Sequence, residues 1–539
     1  MSTLIIHSDL IIIPALAVLL SRFPKLWFCG DSRLRPVIHT LAWVIALCIA
    51  VLTSFSSPIN DDEVFYMTQA YARQIGEVSG VLPMRMWIFY PCLALGLSPA
   101  STLLAGRIMM FLGVLLAGVI VMSVARKIDR TLFTGSMVGA ISIITFANLP
   151  TGTFVPENIA FLFLLFAVWS VMAAPPWWSR AFSVFVYGLM LALASLTSLR
   201  YPLFSVAGLF ILFLEPGKLT RVGAIIWASI GMLAGLLPTA VYIATKESVA
   251  SLMYWNYTLP RRAEFIEFNG SIVLPAVVAA MAMLGCCFLW NARQSLDGSR
   301  TLMLLWITAT LAAILNPQKH EYTLAPWLAL SFIVATAAMS GLPSRMPGSA
   351  GRRVYVFALC LLFFGQMSQS TSMLANPALI REGFRKMDSG LRLINWLEAV
   401  VNGNPVACVA PYHPVRAPNI WRMWNVNYYC YITDPQLNAE LDPDLEARLL
   451  SKRAAVIQWD PWPGESEQAN ILKYLVSRKF VPEERISRMA EELRNSYKLV
   501  QWVLPLTEEF GGGRFLVRRE INVGDKVRLL EDSLIAPEK

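Results

Sequence analysis

Asp62 and Glu63 are the residues of this chain best placed for acid–base chemistry, because an apolar run from Val37 to Phe55 ends just before them. That run is long enough to cross a bilayer as a helix, and the chain then emerges as Ser56-Ser57-Pro58-Ile59-Asn60-Asp61-Asp62-Glu63-Val64-Phe65-Tyr66. The carboxylates are thereby held at the boundary between water and lipid. A partly desolvated carboxylate keeps enough basicity to take a proton from a hydroxyl, as chemistry on a lipid-borne substrate requires. The competing structural reading is a solvated helix start, where Asp and Glu favour the helix dipole.

The elements that must position these residues are membrane helices. Apolar residues make up 56% of the 539 residues and charged residues 15%, with a mean hydropathy of +0.53, a balance typical of polytopic membrane proteins. Apolar stretches recur at Leu4 to Leu20, Val37 to Phe55, Ser101 to Ala125, Leu132 to Leu149, Glu157 to Ala173, Ala181 to Ser198 and Tyr201 to Leu214. They continue at Val222 to Ala244, Ser271 to Trp290, Thr301 to Leu315, Tyr322 to Gly341 and Val354 to Gln366, which makes about 12 candidate spans. The first contains His7, Asp9 and Pro14 and also reads as an interfacial segment retained in the protein, and Tyr201 to Leu214 is short enough to be re-entrant.

Lys and Arg are retained on the cytoplasmic side of short loops, so they orient the spans. Arg22, Lys25, Arg33 and Arg35, then Arg126, Lys127 and Arg130, then Lys218 and Arg221, Arg293 and Arg300, and Arg345, Arg352 and Arg353 all fall on one side if each span crosses once. This register predicts an outer location for the Asp62-Glu63 loop, the segment 246–270, the Lys319 turn and everything after Gln366. Orientation signals account for most of the net charge of +9, which therefore does not indicate a nucleic-acid partner.

After about Ser370 charge becomes frequent and apolar spans cease, so residues 371–539 are expected to form a soluble extracytoplasmic α/β domain behind a membrane domain of residues 1–370. Pro405 to Ala410, Ala454 to Gln458, Lys498 to Val503 and Gly513 to Val517 read as strands, and Pro377 to Val401, Leu441 to Ser451 and Ser466 to Ser477 as helices. Gly511-Gly512-Gly513 reads as a hairpin turn, since no helical pattern follows it. Cys48, Cys286, Cys287 and Cys360 lie in apolar segments as core thiols, whereas Cys408 and Cys430 fall in the tail, where a disulfide is one option. No Cys/His cluster has metal-ligand spacing.

Several local patterns follow one another in the order of a known superfamily. Asp62-Glu63-Val64-Phe65-Tyr66, with Ala70, Ala72 and Gly80 after it, resembles the Asp-Glu-x-x-Tyr first outer loop of the GT-C glycosyltransferases. The likeness is greatest to the branch of protein O-mannosyltransferases and the lipid A aminoarabinose transferase. Ala105-Gly106-Arg107-Ile108 is similar to the arginine-bearing start of the next membrane helix, and Pro156-Glu157-Asn158 stands where the second outer loop carries an acidic residue. Lys319-His320-Glu321-Tyr322-Thr323-Leu324-Ala325-Pro326 resembles the Lys-x-x-Tyr-x-Leu-x-Pro element of that branch. Its Lys-Pro-Pro motif is absent, and Met84 to Pro91 stands in its place.

The resemblance implies transfer of a monosaccharide from a polyprenyl-phosphate donor to an acceptor hydroxyl at the outer face of a plasma or inner membrane, with inversion. The acceptor would be a glycolipid, a glycan or a protein. Asp62 would be the base, with Glu63 steadying the loop. A phosphate ester leaves as a stabilised anion, so cations replace the general acid of ordinary glycoside hydrolysis. Arg107, Lys319 and Arg200 are candidates to hold that phosphate. Arg107 reads equally as a structural cation inside an apolar span, and Arg200 and Lys319 also read as interfacial anchors. Glu157 would orient the acceptor or pair with a cation, and Tyr66 and Tyr322 would line the substrate, although aromatic residues near the boundary also serve as a membrane belt. No cofactor is required, and a divalent metal is compatible but not indicated. The alternatives are a lipid or glycan transporter or flippase, against which the two halves show no repeat, and a non-catalytic scaffold.

Overall fold

A computed structural model describes residues 34–57, 59, 61–74, 87–128, 132–148, 154–198, 201–202, 205–206, 208–209, 219–246, 249–253, 305–310, 327, 330, 334, 377–407, 416–418, 420, 444–451, 454–460, 470–477, 480–504, 513–531 and 535. The chain divides into two compact units. One comprises Met1–Ser54, Arg107–Ala240 and Glu267–Ile380, and the other Phe55–Gly106, Val241–Ile266 and Arg381–Lys539, each in its described parts. The first half supplies helices α1 (Leu34–Ser56), α2 (Asp61–Gln74), α3 (Tyr90–Ala94), α4 (Pro99–Ile128), α5 (Leu132–Asn148), α6 (Pro156–Met172), α7 (Arg180–Thr197), α8 (Arg221–Lys246) and α9 (Val249–Met253).

Four stretches within these helices are long and apolar enough to cross a membrane: His39–Ser56, Pro99–Lys127, Arg180–Thr197 and Arg221–Thr245. The expected spans 4–20, 271–290 and 354–366 lie outside the described residues, as do most of 301–315 and 322–341. The surroundings of α8 are written on its free face. Val222, Ile226, Ile230, Leu233 and Leu237 are all exposed there, a surface suited to hydrocarbon and not to water.

In hydrocarbon, burial gives helices little reason to associate, so close packing must hold them together. Gly188 on α7 and Gly231 on α8 meet that demand. A Cβ at Gly188 would strike the Ala228 carbonyl, and one at Gly231 would strike the Phe185 carbonyl, so the two backbones touch only because both positions lack side chains. Polar pairs add cross-ties: Trp43 Nε1 donates to Ser136 Oγ at 2.8 Å and Trp169 Nε1 to Ser123 Oγ at 3.3 Å. The turn between α6 and α7 is closed from both sides. Ser179 caps α7 by accepting from the Phe182 amide at 3.1 Å, and the Arg180 guanidinium donates to the Val171 carbonyl at 2.7 Å.

The other unit is built around a sheet. It contains, from Arg381 onward, α10 (Pro377–Val401), then β1 (Val406–Ala407), α11 (Leu445–Leu450), β2 (Val456–Gln458), α12 (Ile471–Ser477), α13 (Glu483–Ser496), β3 (Tyr497–Trp502), β4 (Arg514–Arg518) and β5 (Val527–Leu529). The strand order is β1-β2-β4-β3-β5, with β1 and β2 parallel and the remaining pairs antiparallel. β2, β3 and β4 supply mostly buried residues, with Val456, Ile457, Leu499, Val500, Phe515, Leu516 and Val517 in the core.

α10 forms over the range its periodicity predicts and buries Met387, Ile394, Trp396, Leu397 and Val401 along one side. It ends where Asn402 and Gly403 adopt positive φ of 45° and 76°, the left-handed conformation that stops a helix. Two tryptophans fasten it. Trp396 Nε1 donates to the Val523 carbonyl at 2.9 Å and Trp502 Nε1 to Ser389 Oγ at 3.1 Å, with the two ring centroids 5.7 Å apart. Asp460, buried beside β2, accepts from the Arg514 amide at 2.9 Å and from its Nε at 2.7 Å, which pins the start of β4. Helix α13 and strand β5 are additions to the elements read from the sequence.

Candidate functional site

The residues Asp61, Asp62 and Glu63 form the first turn of α2, with four residues between it and the end of α1. Three carboxylates there suit the positive end of a helix dipole, as the structural reading requires. The same placement fixes their backbone on a regular element. The Asp62 side chain lies outside what the structure describes.

Glu63 points inward. It is 0% exposed, in company with Val64, Met67 and Ala70 on the buried face of α2, and Tyr66 is 8% exposed on the same face. A carboxylate so enclosed is a structural member of the helix more than a group open to substrate. Tyr71 completes the stripe. Glu63, Met67 and Tyr71 recur at four-residue steps, so they stack on one side of the helix.

Tyr71 Oη donates to Thr102 Oγ1 at 3.2 Å, and both residues are buried. Burial pushes the Tyr71 hydroxyl up to about 12; the Thr102 hydrogen bond and the nearby Arg416 oppose that rise, while Glu398 adds to it. Tyr71 therefore stays protonated, and a donor, throughout the neutral range. Thr102 lies in the first turn of α4, so this bond ties α2 to the start of the next long helix. Neither residue was legible as a pair, because Tyr71 and Thr102 are joined only in space; the four-residue stripe was the one signal that marked Tyr71.

Arg107, five residues further along α4, is 1% exposed. Its guanidinium donates to the Ser54 carbonyl at 3.2 Å. Ser54 lies in the last turn of α1, whose carbonyls have no partner within the helix, so Arg107 caps α1. This contact offsets part of the cost of a buried cation.

Glu157 follows Pro156 at the start of α6 and is 7% exposed. Proline suits that first position, where its missing amide is not needed. Tyr201 Oη reaches the Glu157 carbonyl at 3.5 Å, the outer limit of a hydrogen bond. Glu63 and Tyr66 are thus brought together on α2 in one unit, while Arg107 and Glu157 belong to the other. Arg200, Lys319 and Tyr322 lie outside the described residues, as do Cys408 and Cys430. Among the described residues no group of three or more His, Cys, Asp or Glu is arranged to hold a metal ion.

No family profile matches the sequence, and no curated protein matches it. Solved structures do. The crystal structure of ArnT from Cupriavidus metallidurans in the apo state aligns with a TM-score of 0.53 at 12% identity, covering 93% of this chain and 99% of that one. ArnT bound to undecaprenyl phosphate aligns with a TM-score of 0.49 at 14% identity, covering 72% and 86%. An Archaeoglobus fulgidus oligosaccharyltransferase tethered to an acceptor peptide gives 0.46 at 12% identity, covering 88% and 73%. The apo ArnT alignment shows the fold: this chain folds as ArnT does, and it carries stretches long and apolar enough to cross a membrane.

Proposed function

We propose that the protein is a membrane glycosyltransferase that moves a monosaccharide from a polyprenyl-phosphate donor to an acceptor hydroxyl, with inversion and with Asp62 as the base. The observation that carries this reading is the first turn of α2: a carboxylate cluster immediately follows a candidate membrane span in a chain of GT-C fold. In the reaction the acceptor oxygen attacks the anomeric carbon as its proton passes to Asp62, and the bond from that carbon to the phosphate oxygen breaks. Glu63, enclosed on the inner face of α2, steadies the loop. Arg107, Lys319 and Arg200 hold the departing phosphate by charge, Glu157 orients the acceptor, and Tyr66 and Tyr322 line the substrate. A monophosphate leaving group carries too little charge to demand a metal.

The site faces the outer side of the membrane, with residues 371–539 there as well. Support comes from the make-up of one compact unit, which gathers parts of the loops 55–106 and 241–266 with 381–539, the segments that the distribution of Lys and Arg expects on the outer face. The acceptor is a glycolipid, a glycan or a protein.

The test is a purified sample in liposomes, offered a panel of radiolabelled polyprenyl-phosphate sugars and membrane acceptors. Labelled product from one donor is the expected result and identifies the sugar. Donor carried across the bilayer with no product would replace this reading with that of a flippase.

A further inference from the structure

We infer that the turn between α6 and α7 is an aromatic anchor seated in the headgroup layer of the lipid bilayer, where it fixes the height of the α6–α7 hairpin. The contacts behind it all lie within one compact unit, and the inference stands apart from the transfer reading.

The segment 173–179 reads Ala-Ala-Pro-Pro-Trp-Trp-Ser, between the end of α6 at Met172 and the start of α7 at Arg180. Its two prolines restrict the backbone, and the Trp178 amide donates to the Pro175 carbonyl at 3.0 Å, so the chain reverses tightly. Trp178 is the centre of the cluster that results. Its ring meets Trp169 at a centroid distance of 5.5 Å, Phe182 at 4.8 Å and Trp177 at 5.7 Å, with interplanar angles of 80°, 78° and 79°. These are the edge-to-face arrangements that aromatic rings favour, so the cluster is held as a unit. Trp169 is fixed from behind by its bond to Ser123.

The free side of the cluster is bare. Trp177 is 78% exposed and Phe182 45%. A rigid aromatic knob of this kind calls for a partner surface, and three observations identify that partner as lipid. The candidate span Arg180–Thr197 begins at the turn, and the apolar helix Pro156–Met172 ends beside it, so the rings stand at the mouth of two apolar helices. Charge points the same way. From 173 to 182 the one charged residue is Arg180, and its guanidinium donates back to the Val171 carbonyl, so the turn offers rings to its surroundings. An indole suits the headgroup layer, because its flat apolar body fits among glycerol and ester groups while its N–H stays within reach of acceptors.

Length supplies the third observation. α6 has 17 residues, about 25 Å of helix, close to the thickness of a hydrocarbon core. A turn held in one headgroup layer therefore sets Glu157, at the far end of α6, near the opposite layer. The competing occupant is another protein surface, and the test separates the two.

The experiment places the photoreactive p-benzoylphenylalanine at Trp177 of the full-length protein, and separately at Phe182 and at Arg488, and irradiates membranes of the expressing cell. Trp177 and Phe182 are exposed, so exchanging one aromatic group for another leaves the fold in place at one position even if the other is disturbed. Arg488, with its side chain 84% exposed on the charged face of α13, is the control. Peptides are weighed before and after mild alkaline hydrolysis of lipid esters. The expected result is a lipid adduct on the turn at least about fivefold more abundant than at 488, part of which keeps a glycerophosphate group after hydrolysis. Adducts that keep only a fatty acid would place the turn within the hydrocarbon and overturn the inference. So would cross-links mainly to another protein or to a second copy of this chain, which would make the knob a protein interface. Lipid labelling no greater than at 488 would overturn it as well, by showing that the rings stand in water.

Discussion

The seam between α7 and α8 and the seam between α10 and the sheet solve the same problem in opposite ways. Along α7 and α8, side chains are removed: Gly188 and Gly231 let carbonyl oxygens of the facing helix approach to contact. Along α10, large side chains are added: Trp396, Trp502 and Phe515 fill the space, and the two indole N–H groups donate hydrogen bonds. The difference teaches which force each seam relies on. Where neighbouring lipid is as apolar as leucine, only closeness favours association, whereas in water each buried indole contributes through its area.

The comparison can be broken most sharply at Gly231. Gly231→Leu places a branched side chain against the Phe185 carbonyl, and we expect a loss of more than about 3 kcal/mol or failure to fold. Thermal unfolding in detergent reads the effect; an unchanged midpoint would show that the α7–α8 approach is not what holds that unit. Next in size is Asp460→Ala, which leaves the Arg514 guanidinium and amide without their carboxylate. The Arg514 side chain keeps 27% exposure, so water offsets part of the loss and the expected cost is about 2 kcal/mol, read by denaturant unfolding of the sheet unit.

A smaller change follows Trp502→Phe, which keeps the ring and removes the donor to Ser389. The expected destabilisation is about 1 kcal/mol, and a neutral result would assign the seam to area alone. The smallest effect at neutral pH is electrostatic. Burial pushes both Tyr71 and Tyr497 up to about 12 from an ordinary value of 10.0. The folded state then holds these protons more tightly than the unfolded one, so their contribution is fully present below pH 10 and is lost as pH rises towards 12. The part of the tyrosinate absorbance that is lost in Tyr497→Phe should appear only as the sheet unit opens or as pH nears 12.

Legibility in the sequence followed the range of the physics involved. α10 could be delimited from its apolar periodicity alone because the same stripe meets the sheet. The pattern Ile486, Met489, Ala490 and Leu493 in α13, preceded by Pro482 and two glutamates, is as regular and therefore as legible. Arg107 illustrates the opposite case. A cation inside an apolar segment marks itself as costly, but the partner that answers it, the carbonyl of Ser54, is a backbone group 53 residues away. No residue type signals a backbone carbonyl. Gly383 is similar, since a glycine within a helix pattern reads as a weak point until the Ser56 carbonyl is seen against it. The carboxylate turn was visible from its place after α1, whereas the inward aim of Glu63 was not, because only the helical phase of α2 decides it.

The most direct test of the account is transfer of labelled sugar by the unaltered protein and by Asp62→Asn, with donor binding measured on both at matched folded concentration. The account predicts that transfer falls by roughly 10² to 10⁴-fold in the variant while donor binding is unchanged, as expected for loss of a general base. Equal transfer by the two proteins would contradict it and remove Asp62 from the chemistry.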